Sequence, residues 1–156
     1  MKEYLIRSLE LTFNGKPWYG HGIMEKLDVI VPETAYIRPE GCHRCIAEIV
    51  NHMIAWRQYA LEHFNQNKDF AIQIDSIDDW PATQKEWPAI LDALRTSQQS
   101  LVAKLTECDE EWLNQPSVEP GFTYGQLLEG IIHHDIYHLG QIGLVASMLN
   151  AANNEE

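Results

Sequence analysis

The sequence has no long hydrophobic run and no hydrophobic leader. No apolar stretch approaches the roughly 20 residues that a membrane-spanning helix needs. The first segment, Met1 to Leu11, carries charged side chains throughout and lacks the apolar core of a secretion signal. We therefore expect a soluble, cytoplasmic protein that has no membrane partner.

Basic residues are scarce. The chain has 11 lysines and arginines against 23 aspartates and glutamates, which gives a formal net charge of −12. Such a charge repels the phosphates of nucleic acids, so we do not expect DNA or RNA as a partner. The excess of acidic residues is typical of a well-solvated surface. A cationic partner is allowed, although no local motif points to one.

Cysteine is scarce too, with only Cys42, Cys45 and Cys108. The odd number argues against a disulfide framework in a protein of this kind. Cys42 and Cys45 have C-x-x-C spacing and lie where a helix is predicted to begin, a position that lowers the pKa of a thiol. A redox site would need a βαβ context and a structural zinc site a second ligand pair, and the sequence has neither. We interpret these cysteines as ordinary half-buried side chains.

Helical periodicity is present along most of the 156 residues. The first helical segment, residues 4–30, is interrupted at 14–17, where Asn, Gly and Pro occur together. Further helices are predicted from about His43 to Phe64, from the Thr83 capping box to Leu105, and from Thr123 to about Asn150. Four main helices, long connections and almost no strand pattern predict an all-α bundle that forms a single domain over residues 1–156.

Three histidines lie in apolar surroundings. His134 and His138 are four residues apart on the last predicted helix, so both imidazoles lie on one face within reach of a single metal ion. His133 is rotated about 100° away from them. His52 lies in the middle of the second predicted helix, also among apolar residues. Each one alone is more often a hydrogen-bonded core histidine, but a metal ion would satisfy all three together.

The predicted metal site is of the catalytic kind. Three neutral histidines leave one coordination position open, whereas structural zinc sites are usually closed by four ligands. Imidazole suits several divalent transition metals; zinc and nickel are the leading candidates, and iron and copper stay open. The other histidines, His21, His43 and His63, lie in predicted loops or polar helix ends and are weaker candidates.

Two other metal motifs fit less well. A di-iron bundle uses Glu-x-x-His on two helices, but here Glu48 and Glu129 each precede a histidine by four residues. A zinc peptidase uses His-Glu-x-x-His, whereas this chain has Asp135 in place of the glutamate and no third ligand downstream. Asp135 could orient a ligand histidine or act on a bound water; the alternative is an exposed or outer carboxylate of the helix.

Four stretches of the sequence resemble the DinB/YfiT-like superfamily of metal-dependent proteins. The most specific is Gly130 to Ile142, with its His-x-x-Tyr-His-x-Gly-Gln-Ile core. The others are Glu48–His52 before Trp56-Arg57, Lys16–Gly20 and Asp79–Pro81, so that the resemblance spans nearly the whole chain. The sequence departs from the pattern at Cys45-Ile46-Ala47-Glu48, where relatives commonly have Ser-Ile-Trp-Glu. This departure replaces a large indole by a methyl group and concerns the shape of the substrate pocket.

The resemblance implies a four-helix bundle with a long crossover, often present as a homodimer. It carries the family's metal ligands onto His52, His134 and His138, which the spacing had already selected. It also implies a metal-dependent enzyme that transfers a low-molecular-weight thiol to a small molecule, since a metal lowers the pKa of a bound thiol. A metal-dependent hydrolase and a non-enzymatic, dimeric metal-binding or stress protein are the alternatives.

Overall fold

A computed structural model describes residues 1–82 and 85–153, and this part of the chain is all-helical. Its α-helices, in chain order, are α1 (Lys2–Asn14), α2 (Ile23–Leu27), α3 (Ile46–Phe64), α4 (Trp87–Glu107) and α5 (Tyr124–Asn153). Short 3₁₀ helices occur at Thr34–Tyr36 and Trp112–Asn114. Within these residues no strand forms, and the β-type pairing is one isolated bridge between Pro116 and Thr123. The predicted all-α fold and the interrupted first helix are confirmed.

The four long helices form the bundle. Helix α3 packs against α4 and α5, and α1 packs against the same two helices. Helices α1 and α3 therefore lie diagonally opposite each other, and residues 15–45 connect them. Within this connection α2 contacts α1, and its Ile23, Met24 and Leu27 are buried in the core. This connection is the long crossover that the resemblance implied. Among the described residues, no helix combines the length and the hydrophobicity that crossing a bilayer requires.

Local hydrogen bonds explain where the long helices begin. Helix α5 starts after Thr123, whose N–H donates to the Gln126 amide oxygen (2.9 Å), while its hydroxyl accepts from the Gln126 N–H (3.3 Å). Helix α3 starts at Ile46, three residues later than predicted, because the Glu48 carboxylate accepts from the N–H of Cys45 (2.9 Å). Helix α4 starts at Trp87, and the capping residue predicted for it, Thr83, lies outside the described residues.

Its place at the start of α3 does not activate Cys45. The side chain is buried, and burial raises the pKa of the Cys45 thiol. Burial therefore opposes the lowering expected from the helix start. Cys42, Cys45 and Cys108 are all free thiols, as expected.

A buried polar layer crosses the bundle at half height. Arg57 of α3 is 1% exposed and donates to Asp135 of α5 at 2.7 and 3.2 Å. It also donates to Gln98 (3.0 Å) and Ser97 (3.4 Å) of α4, and its guanidinium lies 5.1 Å from the ring of Phe13 in α1. Arg57 of α3 thus contacts the other three helices of the bundle and separates two apolar clusters, one on each side.

Candidate metal centre

The three predicted histidines meet between α3 and α5. His52 approaches His134 with 3.0 Å between their Nε2 atoms, and His138 approaches His134 at the same distance between the same atoms. All three donor atoms lie within 4.8 Å of one another. His52 and His138 are buried and His134 is nearly so. The spacing argument therefore selected three residues that the fold does bring together.

The hydrogen bonds at the Nδ1 atoms of His52 and His138 show that these two imidazoles suit a cation, whereas the Nδ1 of His134 is buried without a described partner. The Nδ1 of His52 donates to the backbone oxygen of Asp79 (2.7 Å), and the Nδ1 of His138 donates to the amide oxygen of Gln141 (2.7 Å). Their Nε2 atoms then carry bare lone pairs, both directed at the Nε2 of His134. One proton on His134 can satisfy only one of the two. A divalent cation would accept all three lone pairs, so the donor set fits a metal ion.

Burial keeps the three imidazoles neutral. It lowers the pKa of His134 to about 3, with the neighbouring His138 and His52 adding to the effect. It also lowers the pKa of His138 to about 4 and lowers that of His52. Because only neutral imidazole binds a metal, these side chains are ready to act as ligands at neutral pH.

Asp79 orients His52. Its carboxylate Oδ1 lies 3.0 Å from the His52 Nδ1 and also accepts from the indole N–H of Trp56 (2.8 Å). The other oxygen, Oδ2, accepts from the backbone N–H of Asp75 (2.9 Å), which adopts a left-handed conformation with φ 63°. A carboxylate behind a histidine fixes its tautomer and raises its basicity, and such partners are typical of metal-binding histidines.

Asp135 lies elsewhere. It is 1% exposed, and both of its oxygens accept from Arg57 in the polar layer of the core. Burial raises the pKa of the Asp135 carboxyl, and the Arg57 guanidinium opposes that rise. Its side chain points about 100° away from that of His134 because the two are adjacent on a helix. These contacts do not support the role predicted for Asp135 on a ligand or a bound water, since Asp79 is the carboxylate at His52.

Trp80 covers one face of the centre. Its ring stacks on that of His52, with 4.0 Å between centroids and 10° between planes. The guanidinium of Arg44 lies 4.3 Å from the centroid of the same indole. The loop between α3 and α4 therefore supplies both the orienting carboxylate and an aromatic cover for His52.

A pocket of about 820 Å³ opens beside the three histidines. Its walls come from α3, α5 and the two loops around Ile74 and Glu119. Three large apolar side chains on its walls are mostly exposed: Ile74 (72%), Phe122 (55%) and Tyr137 (63%). Exposed apolar side chains around a polar centre are typical of ligand pockets.

Sequence reasoning missed two features of this site. The sequence relates Asp79 to the family loop but not to His52, because nothing in the spacing connects it with a residue 27 positions earlier. His63, which the sequence places at a polar helix end, is 1% exposed, and in the described structure neither of its ring nitrogens has a hydrogen-bond partner. A histidine one turn after Tyr59 on the apolar face of α3 was the available signal.

Comparison with known proteins gives a family and a similar solved structure. A model of the DinB superfamily matches residues 23–142. No curated protein matches. The crystal structure of the colibactin self-resistance protein ClbS in complex with double-stranded DNA is 18% identical; the alignment covers 94% of this chain and 95% of that chain, with a TM-score of 0.69. At that identity the likeness shows a common fold.

The ClbS structure corrects one expectation. The net charge led to the prediction that nucleic acid is not a partner. That prediction is wrong, because a protein with this fold was crystallised with double-stranded DNA. Net charge sums over the whole surface, whereas phosphates are contacted only at a local interface.

Proposed function

This chain belongs to the DinB superfamily, and on that premise we propose that it is a metal-dependent enzyme whose metal ligands are His52, His134 and His138. The observation behind the proposal is that three Nε2 atoms converge within 4.8 Å while the outer nitrogens of His52 and His138 are held by oxygen acceptors. Zinc or nickel fits three imidazoles best, and iron is the alternative.

The protein's own residues prepare the centre. A divalent cation held there supplies a Lewis acid that lowers the pKa of a thiol or water nucleophile. Asp79 and Gln141 hold the His52 and His138 rings with their Nε2 atoms turned inward. Trp80 covers His52 and keeps water from that face.

The surroundings favour a thiol nucleophile over water. Hydrolytic zinc sites of the His-Glu-x-x-His type use a nearby free carboxylate as general base. The two carboxylates that contact or adjoin the histidines are engaged, Asp79 by His52 and Trp56, and Asp135 by Arg57. Asp75 and Glu119 also line the pocket, but no described contact joins either carboxylate to the three histidines. A thiol ionises far more readily than water and needs no such base. We propose a thiol S-transferase type of reaction on a small molecule that binds in the apolar pocket.

Metal content and turnover of matched variants test this proposal. We expect about one metal per chain in protein purified without an affinity tag, retention of that metal in His133→Ala, and its loss in His52→Ala. His133 is the control because it is exposed and adjacent to a proposed ligand. A screen of low-molecular-weight thiols with a chromogenic electrophile should show turnover that depends on His52.

The outcomes separate the alternatives. Ester or amide hydrolysis without a thiol requirement would identify a hydrolase. Bound metal without turnover of either kind would indicate a metal-binding protein that is not an enzyme. Equal metal content in His52→Ala and the wild type would contradict the assignment of the ligands.

Double-stranded DNA is a second candidate ligand because ClbS was crystallised with it. DNA binding by this chain should appear as retardation of a duplex in a native gel that weakens steeply as salt is raised. Retardation that is unaffected by His52→Ala would place DNA binding apart from the metal centre. Absence of retardation at low salt would restrict DNA binding to the relative.

We also propose a homodimer built on the exposed face of α5. Gly140 and Leu144 are four residues apart on one face of α5 and are both exposed. A Cβ added at Gly140 would meet no described atom within 4 Å, so this glycine is not required by packing inside one chain. Sedimentation should show a dimer for the wild type and a monomer for Leu144→Glu.

A further inference from the structure

The far end of the pocket holds a second group of polar and aromatic side chains. Tyr59, Glu119 and Phe122 line the same pocket as the three histidines. The Tyr59 hydroxyl donates a short hydrogen bond to Oε1 of Glu119. The metal centre uses neither residue.

The Glu119 carboxylate has one oxygen that could bind a ligand. Its carboxylate accepts from Tyr59 through Oε1, and no described hydrogen bond or ion pair involves Oε2. The backbone around it is fixed, because its N–H donates to the Ser117 hydroxyl (3.1 Å) and its carbonyl accepts from that same hydroxyl (3.2 Å). A half-buried carboxylate with a fixed backbone and one free oxygen can accept a hydrogen bond from a ligand.

His63 does not neutralise this carboxylate. It packs edge-on against Tyr59 with 4.3 Å between ring centroids. Burial lowers the pKa of His63, so the imidazole is uncharged at neutral pH although Glu119 pulls in the other direction. The negative charge of Glu119 is therefore available to a ligand in the pocket, while His63 supports the Tyr59 ring from behind.

Aromatic rings connect this end of the pocket to the metal centre. Trp56 lies between the two, 5.3 Å from Tyr59 and 5.9 Å from His134 by ring centroids. Phe122 lines the pocket close in sequence to Glu119 and is 55% exposed. Aromatic faces beside a carboxylate attract organic cations through the ring quadrupole in addition to the ion pair.

We infer that Glu119, Tyr59 and the neighbouring rings of Trp56 and Phe122 form a subsite for a protonated amine. Tyr59 follows His52 by seven residues, which is about 10 Å along a helix. The substrate class is therefore an elongated small molecule with an ammonium group about 10 Å from the atom that binds at the histidines. The identity of that second atom rests on the proposed function, whereas the amine subsite does not.

The excess of acidic residues allows a cationic partner without locating one. Glu119 gives such a ligand a location.

Matched thiols test the inference on the zinc-loaded protein. We would titrate aminoalkanethiols, from cysteamine up to a chain of about six methylenes, alongside hydroxyalkanethiols of the same lengths, and follow binding by calorimetry. The long aminothiol should bind roughly tenfold or more tightly than its hydroxyl analogue, and cysteamine should show no such preference. Glu119→Gln should abolish the preference. Glu111→Gln, an exposed control in the same connection, should keep it.

A second titration uses metal-free protein and compares the binding of n-hexylamine with that of n-hexanol. It separates the amine subsite from the proposed thiol-binding metal centre. Failure of every thiol to bind would overturn the thiol assignment, and a hexylamine preference lost in Glu119→Gln would still support the subsite. Thiol binding with no amine preference, or a preference that survives Glu119→Gln, would overturn the subsite and leave the metal proposal intact. Absence of an amine preference in both titrations would overturn it as well.

Discussion

At the scale of single residues, Asp79 is the side chain on which the geometry of the centre most depends after the histidines themselves. Its two oxygens serve His52, Trp56 and Asp75 at once, and it is 3% exposed. The carboxylate thereby connects the loop between α3 and α4 to a ligand on α3. Removing its charge should weaken the metal site without dismantling the bundle.

Asp79→Asn should lower metal affinity by roughly 10- to 100-fold, because Asn keeps an acceptor but loses the charge that increases the basicity of His52. Competition with a chromogenic chelator measures this. Asp78→Asn is the control, since Asp78 is exposed and adjacent. Equal affinity in the two variants would show that Asp79 does not support the metal site.

Asp135 has a different role that belongs to stability. Asp135→Asn should destabilise the protein by about 3–5 kcal/mol, because it leaves the buried charge of Arg57 unpaired. Urea unfolding measures the change in the free energy of unfolding. The double variant Arg57→Met/Asp135→Leu should recover much of that loss, since it removes both charges from the core. A single variant as stable as the wild type would contradict the described pairing.

At the scale of elements, the centre exists because α3 and α5 are packed side by side in a fixed register. The Arg57–Asp135 pair sets that register five residues after His52 and directly after His134. The helices themselves were predictable, because their periodicity and the Thr123 cap are local signals. The start of α3 was not, since cysteine is not a usual capping residue and its neighbour Glu48 makes the cap.

Protonation of the histidines should weaken the contact between α3 and α5 in metal-free protein. The pKa values of His134 (about 3), His138 (about 4) and His52 all lie below 6.5 in the folded state. Between those values and 6.5 the unfolded chain binds more protons than the folded chain. The contribution of these histidines to stability is therefore fully present above pH 6.5 and is lost as the pH falls. His63, whose pKa is also lowered, contributes with the same sign.

Urea unfolding of metal-free protein at pH 7 and pH 5 tests this pH dependence. The free energy of unfolding of the wild type should be clearly lower at pH 5 than at pH 7. His134→Phe should lose less stability between the two pH values, because up to one proton fewer is taken up on unfolding. His133→Ala should retain the wild-type loss because His133 is exposed. Equal stability at the two pH values would contradict the neutral, buried state of the three imidazoles.

At the scale of the whole molecule, the sequence predicted the fold class and the three converging histidines but not the surroundings of the site. The i, i+4 pair at His134 and His138 is a property of one helix, so it could be read directly. Asp79 and Glu119 lie in loops that line the pocket. No local sequence pattern predicts which helix residues a loop side chain will contact. The net charge misled for a related reason, since a sum over all residues does not describe any one surface.

Metal binding should stabilise the whole bundle, because the ligands come from two helices that the metal would join. Zinc at about 100 times its dissociation constant should add about 2.7 kcal/mol to the stability of the wild type. Calorimetric melting should show a higher Tm with zinc for the wild type and for His133→Ala, and no shift for His52→Ala. A shift in His52→Ala equal to that of the wild type would mean that zinc binds elsewhere.

The most direct measurement is anomalous diffraction from crystals grown with zinc, with data collected on both sides of the zinc edge. The account predicts one strong anomalous peak between α3 and α5, about 2.1 Å from the Nε2 atoms of His52, His134 and His138. A fully zinc-exposed crystal with no peak there, or with its principal peak away from these three nitrogens, would contradict it.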